Sequence, residues 1–273
     1  MVTAKDLLTL ADSIRADSVS SEAEYQRIWQ EYIQVEHSPE EVAYIGGVLA
    51  DRLAFLFIAG YQAAVRRTFD LTDKNWTVLA VSEDKSLSDP KPGLSLTADG
   101  LLCGYKTWVA SSDFMEKMIV STGTSEDLRL WKVDRNQRGL TLHRKNKPAF
   151  LGEMSQGIGE FDRVIASELQ ELPSIDLKLF SKREPLYLYI AFCGFLHKKL
   201  PHPESETLLN SLLVIATGDF SLAGDKQLFA EVDRQIGVIF NVLDPGLFSG
   251  EYQQDKGLMR LYSKVIQKRA GFT

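Results

Sequence analysis

The chain has 273 residues, of which 44% are hydrophobic and 25% are charged, and its 37 acidic and 31 basic residues give a formal net charge of −6. A chain of this length can bury about three quarters of the surface that it exposes when unfolded, so its core needs no disulfide or metal. The acidic balance argues against a protein that wraps nucleic acid, whose phosphates require a basic surface. The longest apolar run, residues 53–60, is too short for a membrane span, and the first ten residues do not resemble a signal peptide. These features predict a cytoplasmic protein.

The first part of the chain, up to about residue 71, has the apolar spacing of amphipathic helices. Residues 4–15 place their apolar side chains on one stripe and predict a first helix. A second helix is predicted after Ser21, with Glu24 three residues later as the other half of a capping box.

A third helix is predicted to begin at Ser38, because Pro39 and Glu41 follow it in the order that favours a helix start. Its apolar spacing continues to Phe69, which predicts a single long helix. Small residues within it indicate close packing between helices more than a ligand site; they are Gly46, Gly47 and Gly60.

Between about residues 75 and 172 the pattern changes to short runs that are β-branched or alternate between apolar and polar residues. Antiparallel strands are predicted at residues 76–81, 94–98, 101–109, 118–122, 128–134, 140–144 and 161–166. The dipeptide Asp99-Gly100 predicts a two-residue type I′ hairpin turn, in which both central residues have positive φ.

After Pro173 the helical period returns. Four helices are predicted, at residues 185–200, 204–218, 226–243 and 253–269, and their short connections predict antiparallel neighbours in a bundle. The predicted fold class is therefore α+β. It has an N-terminal helical domain (1–72), a middle antiparallel β-barrel-like domain (73–174) and a C-terminal four-helix bundle (175–273).

The residue types that commonly act in catalysis or bind metals show few recognisable sequence patterns. Cys103 and Cys193 lie far apart and are predicted to be buried free thiols. None of the four histidines has a spacing that would place two ligands on one helix face, so no metal site is predicted. The chain also lacks the Gly-x-Ser-x-Gly, phosphate-loop and Gly-x-Gly-x-x-Gly motifs, which excludes the common hydrolase, nucleotidase and Rossmann interpretations.

One local pattern in the β region resembles a known family. The segment 78–83, Val-Leu-Ala-Val-Ser-Glu, closes a predicted strand, and Gly104-Tyr-Lys-Thr-Trp-Val-Ala-Ser111 follows about twenty residues later. Both segments, followed by the strand 118–122, resemble the acyl-CoA dehydrogenase family, which has an Ala-x-Thr-Glu element and then Gly-x-Lys-x-Trp-Ile-Thr. The match is close over residues 76–122, and the order of helices, strands and helices resembles the family along the whole chain.

The resemblance implies FAD as the cofactor and an acyl-CoA thioester as the substrate. It implies that Trp108 flanks the flavin ring and that Ser82 stands near the flavin, where the family has Thr. A tryptophan on an alternating strand is also a common core residue, and that interpretation of Trp108 stays open. Ala110 occupies the position of a family hydroxyl residue that contacts the flavin, and Ser111 is the candidate to replace it.

A minority of the family carries its catalytic base in a Glu-Arg pair ten residues before a helical glycine. Glu184 lies ten residues before Gly194, although Pro185 replaces the arginine, so the resemblance makes Glu184 the candidate base. The alternative is a solvated acid in the first turn of a helix, where it complements the helix dipole. Glu251 is a reserve candidate.

A basic cluster is the candidate contact for a CoA phosphate, with a solvated loop as the alternative; it consists of Arg144, Lys145 and Lys147.

The function implied by the resemblance is that of a shortened, divergent FAD-dependent acyl-CoA dehydrogenase. Such an oxidoreductase of fatty acid metabolism removes hydrogen across the α,β bond, as a homo-oligomer or with a related dehydrogenase subunit. The alternative is a catalytically inactive subunit with the same fold that acts as the binding or assembly partner of a complete dehydrogenase. Ala110, Leu261 in place of the family Asp, and the absence of the family's FAD-diphosphate motifs favour the alternative. An unrelated α+β binding module is a third possibility.

Overall fold

The computed structural model describes residues 2–15, 18–86, 88–124, 126–173, 177–200, 204–222, 224–248 and 252–272. The chain forms two compact units, of which the first comprises Met1–Lys74, Ala149–Glu153 and Lys178–Thr273 and the second Asn75–Pro148 and Met154–Leu177. Helices build the first unit and strands the second. The predicted order of helices, strands and helices is confirmed, whereas the division into three domains stays a prediction.

The described helices are α1 (Ala4–Asp12), α2 (Glu22–Tyr32), α3 (Pro39–Leu49), α4 (Leu53–Phe69), α5 (Leu177–Lys199), α6 (Ser205–Gly218), α7 (Asp225–Val242) and α8 (Tyr252–Arg269). None of them is both long enough and apolar enough to cross a membrane.

Side-chain caps explain where the early helices begin. The capping box of α3 is confirmed: the Glu41 amide donates to Ser38 Oγ over 3.3 Å, and the Ser38 amide donates to the Glu41 carboxylate over 2.7 Å. At α2 only half of the predicted box is correct. Ser21 Oγ accepts from the Glu24 amide, but the Glu24 carboxylate accepts from the amide and hydroxyl of Ser20, one residue earlier than expected.

The predicted single helix from residue 38 to residue 69 is wrong, because it breaks between α3 and α4. Ala50 and Arg52 have extended backbones, with ψ of 144° and 160°. The Arg52 guanidinium pairs with the Asp51 carboxylate at 2.8 Å and donates to the Val19 carbonyl. These bonds stabilise the break, although neither glycine nor proline marks it in the sequence.

The predicted close packing at small residues is confirmed. A Cβ added to Gly47 would lie 1.8 Å from the carbonyl oxygen of Ala191, and one added to Gly60 would lie 2.5 Å from Leu188 Cα. A Cβ added to Gly46 would lie 2.7 Å from a side chain of α4. Helices α3, α4 and α5 therefore approach one another at backbone distance in the core of the helical unit.

Helix α5 begins at Leu177, eight residues before the predicted start at Pro185. A proline inside a helix has no N–H to donate to the carbonyl four residues earlier, here that of Ser181. Arg269 of α8 supplies the missing donor, since its Nη1 lies 3.0 Å from the Ser181 carbonyl oxygen. This tertiary bond allows the helix to extend through the proline.

The strands of the second unit are β1 (Thr77–Ala80), β2 (Ser95–Leu96), β3 (Leu101–Ala110), β4 (Lys117–Thr122), β5 (Arg129–Asp134), β6 (Leu140–Arg144), β7 (Gln156–Ile165) and β8 (Gln170–Leu172). They form two four-stranded sheets, ordered β1-β4-β5-β8 and β2-β3-β7-β6. No ladder among the described strands joins the two sheets into a closed barrel.

The prediction of an entirely antiparallel arrangement is wrong for β1, which pairs in parallel with β4. A parallel pair needs a crossover connection, and the segment that carries β2 and β3 supplies it. Strand β8 was not predicted, because three residues are too few to show an alternating pattern.

The hairpin between β2 and β3 forms where the dipeptide predicts it, but the predicted turn type is wrong. Gly100 has φ of 75°, whereas Asp99 has negative φ. The Gly100 amide donates to the Thr97 carbonyl over 3.0 Å, and the Thr97 amide donates to the Leu101 carbonyl over 2.8 Å. Ala98 thus belongs to the turn, which is a three-residue loop that needs positive φ only at its glycine.

Both cysteines are free thiols, and Cys193 is buried as predicted. Cys103 is only half-buried, so the prediction is wrong for this residue. It lies within the first irregularity of β3, between the fully buried Leu102 and Gly104, where the regular alternation of the strand is interrupted.

Candidate functional site

The candidate base lies in the interior of the helical unit. Glu184 of α5 is half-buried and accepts a hydrogen bond from the hydroxyl of Tyr262 in α8. Burial raises the pKa of the Glu184 carboxyl from 4.5 to about 7, and the bond from Tyr262 opposes this increase. Glu184 is the eighth residue of α5, so its interpretation as a first-turn acid is wrong. A carboxyl that titrates near neutrality can serve as a general base.

Aromatic side chains surround this pair. Burial and the neighbouring Glu184 carboxylate raise the pKa of Tyr262, and the nearby Tyr61 and Tyr189 add to the increase. Tyr61 packs edge-on against Phe180, with 5.6 Å between the ring centroids. The pair therefore has aromatic residues of α4 and α5 close to it.

Arg183, the cation nearest to Glu184 in sequence, forms its ion pair with Asp219. Arg183 Nε donates to Asp219 over 2.8 Å, and a second nitrogen of the guanidinium donates to the other carboxylate oxygen. The pKa of Glu184 therefore depends on burial and on Tyr262. Glu251, the reserve candidate for the base, lies outside the described residues, as does His202.

A small cavity of about 10 Å³ lies one helical turn from the pair. Leu188 follows Glu184 by four residues and Leu258 precedes Tyr262 by four, so both helices reach the cavity from the same side as the pair. Its lining is Leu53, Leu56, Phe57, Leu151, Leu188, Asp255, Leu258 and Met259. A space of this size holds at most a water molecule.

A larger cavity of about 310 Å³ lies between α7 and α8. Lys256, Arg260 and Lys264 follow one another at intervals of four along α8 and line it together with Gly237 of α7. Its buried carboxylate, Asp233, accepts from Tyr189, Ser263 and Gln267 at 2.5, 2.8 and 2.5 Å. The remaining charge of the lining is positive, which suits an anionic group.

In the β unit, Trp108 lies at the second of two irregularities in β3, between Lys106 and Val109. Its indole N–H donates to Gln156 Oε1 over 3.0 Å. Trp108 is half-buried, whereas the other three tryptophans of the chain are buried: Trp29, Trp76 and Trp131. A bulge re-aims side chains relative to regular alternation, so the indole is not part of the closed core.

The other predicted flavin contacts lie along the same strand. Ser82 is exposed, and its carbonyl accepts from the Thr107 amide over 2.8 Å, which places it beside the residue that precedes Trp108. Ala110 and Ser111 are 2% and 1% exposed, and Ser111 has φ of 47° at the turn after β3. The β unit thus brings these four positions together, while Glu184 belongs to the helical unit. Their roles stay predictions.

Lys106, two residues before Trp108, is 1% exposed. Its ammonium lies 2.5 Å from Glu83 Oε1 and 3.3 Å from Ser121 Oγ. Burial lowers the pKa of Lys106, and Glu83 partly offsets that effect. The motif therefore contains a structural ion pair immediately beside the candidate flavin contacts.

The predicted basic cluster begins at the last residue of β6, and two of its three residues are exposed. Arg144 pairs with the Asp113 carboxylate at 2.9 Å, so this charge already has a partner. Lys145 is half-buried and Lys147 is exposed. A phosphate contact at this cluster stays a prediction. Within the described residues, no group of three or more His, Cys, Asp or Glu side chains could hold a metal ion.

No protein-family model and no curated protein match this sequence. Solved structures do match. A structure described as an FAD-dependent dehydrogenase has a TM-score of 0.63 at 12% identity, with 99% of this chain and 97% of that chain covered. Butyryl-CoA dehydrogenase from Megasphaera elsdenii has a TM-score of 0.60 at 11% identity, with coverage of 98% and 94%.

The chain has the acyl-CoA dehydrogenase fold. The resemblance seen in the sequence is thereby confirmed at the level of the fold. The ChsE4–ChsE5 complex from Mycobacterium tuberculosis also matches, with a TM-score of 0.52 at 14% identity and coverage of 99% and 89%. That structure shows that a protein of this fold can occur in a complex of two different chains.

The residues of this acyl-CoA dehydrogenase-like chain fit a flavin in part. The half-buried indole of Trp108 and the exposed Ser82 supply an aromatic surface and a polar group, as an isoalloxazine ring requires. Ala110, by contrast, offers no hydroxyl.

Sequence reasoning missed Tyr262. The sequence signal that could have indicated it is the four-residue spacing from Leu258 through Tyr262 to Ile266, which places the tyrosine on the inner face of its helix.

Proposed function

We propose that this chain is a divergent flavin-dependent acyl-CoA dehydrogenase of fatty acid metabolism that acts on the α,β bond of an acyl-CoA thioester. The observation that carries the proposal is Glu184, whose carboxyl is half-buried in a chain with the acyl-CoA dehydrogenase fold and has a pKa raised to about 7. A carboxyl with this pKa is half ionised near neutral pH and can both accept and hold a proton.

The residues of the helical unit carry out the proton transfer in this proposal. The Glu184 carboxylate removes the proton from Cα, which the thioester carbonyl acidifies, and retains it as the neutral carboxyl. Burial favours that neutral form, so the environment of Glu184 assists the transfer. FAD, when bound, supplies the acceptor for the hydride that leaves Cβ.

The β unit holds the flavin in this proposal. Trp108 would cover one face of the ring system, with its indole fixed by Gln156. Ser82 would offer a hydroxyl near the ring, and Ser111 would replace the hydroxyl that Ala110 lacks.

Two measurements test the proposal. Protein purified under mild conditions should show flavin absorption or gain it on addition of FAD. The protein should also exchange the α-protons of butyryl-CoA with deuterium from the solvent, and Glu184→Gln should abolish this exchange. Glu206→Gln, at an exposed position of α6, serves as the matched control and should retain it. Unchanged exchange in Glu184→Gln would exclude Glu184 as the base.

The second candidate function is that of an inactive subunit that assembles with a complete acyl-CoA dehydrogenase. Exposed apolar side chains on α7 and α8 favour it: Val238 is 67% exposed, Val242 78% and Leu261 59%. In this function the partner supplies flavin contacts that Ala110 cannot make.

Size-exclusion chromatography tests this second function. The expected result is that the chain binds no FAD alone and forms a complex of defined stoichiometry with an FAD-containing dehydrogenase chain. Binding of FAD by the isolated chain would argue against this function.

A further inference from the structure

Helices α5 and α8 run antiparallel and meet at matched positions on either side of the candidate base. Arg269 meets Ser181, Tyr262 meets Glu184, and Leu258 lines the same small cavity as Leu188. Each position is one or two helical turns from the next on its own helix, so the three contacts form one continuous seam.

The first contact of the seam fixes the register of the two helices. Pro185 leaves the Ser181 carbonyl without its intrahelical donor, and Arg269 replaces that donor with Nη1 at 3.0 Å. A second nitrogen of the same guanidinium donates to Ser181 Oγ over 2.9 Å. The guanidinium therefore makes two hydrogen bonds to the same residue of α5. Pro185 thus leaves an acceptor at Ser181 to which Arg269 of α8 donates.

We infer that Tyr262 is the positioning residue of Glu184: its hydroxyl holds the carboxylate in one orientation, and the bond from Arg269 to Ser181 keeps the two helices in register for it. This role in catalysis rests on the proposed function. The coupling between the two side chains does not, because it belongs to the folded chain and requires neither flavin nor substrate.

Electrostatics explains why a half-buried base needs this donor. Burial alone favours the neutral carboxyl, which cannot accept a proton, whereas a donated hydrogen bond favours the carboxylate. Besides Glu184, the groups that raise the pKa of Tyr262 are Tyr61 from α4 and Tyr189 from α5, and the Tyr189 hydroxyl donates to the Asp233 carboxylate of α7. For Glu184, burial raises the pKa and the hydrogen bond from Tyr262 lowers it, so Tyr262 favours the ionised form of the base.

Carbon-13 NMR of the folded chain, labelled at the glutamate carboxyl carbons and prepared without flavin, tests this inference. The Glu184 signal is assigned by its absence in Glu184→Gln, and its titration midpoint is expected near pH 7. Tyr262→Phe should raise this midpoint by about one unit. The control is Tyr187→Phe. Tyr187 is a buried tyrosine of α5, the helix that carries Glu184, and its hydroxyl donates to Glu40 over 2.8 Å. This variant should leave the titration midpoint of Glu184 unchanged.

A second signal tests the coupling in the unaltered tyrosine and covers the case in which Tyr262→Phe does not fold. With tyrosine labelled at Cζ, the chemical shift of Tyr262 in the wild-type chain should change with pH at the same midpoint as the Glu184 signal. In Glu184→Gln this pH-dependent change, or step, should disappear. The absence of the step in the wild-type chain, or an unchanged midpoint in a folded Tyr262→Phe, would overturn the inference. Coupled titrations together with no α-proton exchange would instead reject the proposed function and leave the coupling intact.

Discussion

A Cβ added to Gly47 would lie 1.8 Å from the main-chain carbonyl oxygen of Ala191, closer than any side chain can approach a backbone atom. Helix α3 therefore touches α5 with no intervening side chain. The contact lies two helical turns beyond Glu184 along α5. Because the partner is backbone, neither helix can adjust by a change of rotamer.

We predict that Gly47→Ala destabilises the fold by at least about 3 kcal/mol, because the two helices must separate. The matched control is Gly257→Ala in α8, where an added Cβ would meet nothing within 4 Å. That substitution should stabilise the chain by about 1 kcal/mol through helix propensity. Urea unfolding followed by circular dichroism measures both changes, and equal effects would contradict the backbone contact.

The raised pKa of Glu184 makes stability depend on pH. The folded chain releases this proton near pH 7, whereas an unfolded chain releases it near pH 4.5, so the folded state binds more protons between these values. Stability conferred by the neutral carboxyl is therefore lost as pH rises from about 4.5 to 7. We predict that the wild-type chain loses about 3 kcal/mol of stability between pH 4.5 and pH 8 through this carboxyl, and that Glu184→Gln abolishes this loss. The free energies of unfolding of both chains at the two pH values measure the difference, and parallel pH profiles would contradict the prediction.

The ion pair between Lys106 and Glu83 should respond unequally to loss of either partner. Glu83 is 42% exposed at its side chain, so its loss leaves a buried ammonium at a cost reduced by solvent. We predict that Glu83→Gln destabilises the chain by about 1–2 kcal/mol. Lys106→Met should change stability by less than about 1 kcal/mol, because no unpaired buried charge remains. Chemical unfolding of the two variants tests this order, and a larger effect of Lys106→Met would reverse it.

Local patterns predicted most of the fold because most elements satisfy their own requirements locally. The Ser38 cap of α3 and the turn at Gly100 are bonds between residues close in sequence, so the sequence shows them. The break at Arg52 and the continuation of α5 through Pro185 depend on distant partners. Periodicity cannot detect such partners, which explains why both boundaries were predicted incorrectly.

The candidate site divides in the same way. Trp108 and Glu184 could be proposed from short motifs, but the environment that gives them their properties comes from elsewhere in the chain. The raised pKa of Glu184 results from burial, and its hydrogen-bond donor Tyr262 lies on another helix. The parallel pairing of β1 with β4 likewise joins segments separated by a hairpin, so strand patterns alone could not give the pairing.

The exposure of Trp108 allows its candidate flavin contact to be tested by fluorescence. Trp108 is half-buried and the other three tryptophans are buried, so Trp108 should dominate the emission that acrylamide quenches. We predict that Trp108→Phe removes most of this quenchable component and that FAD quenches the wild-type emission more strongly than that of the variant. The control is Trp131→Phe, whose indole is buried and donates to Thr122 Oγ1 over 3.1 Å, and it should preserve both effects. If FAD quenches Trp108→Phe as strongly as the wild-type chain, Trp108 does not flank the flavin, and the aromatic surface for the ring must come from another residue.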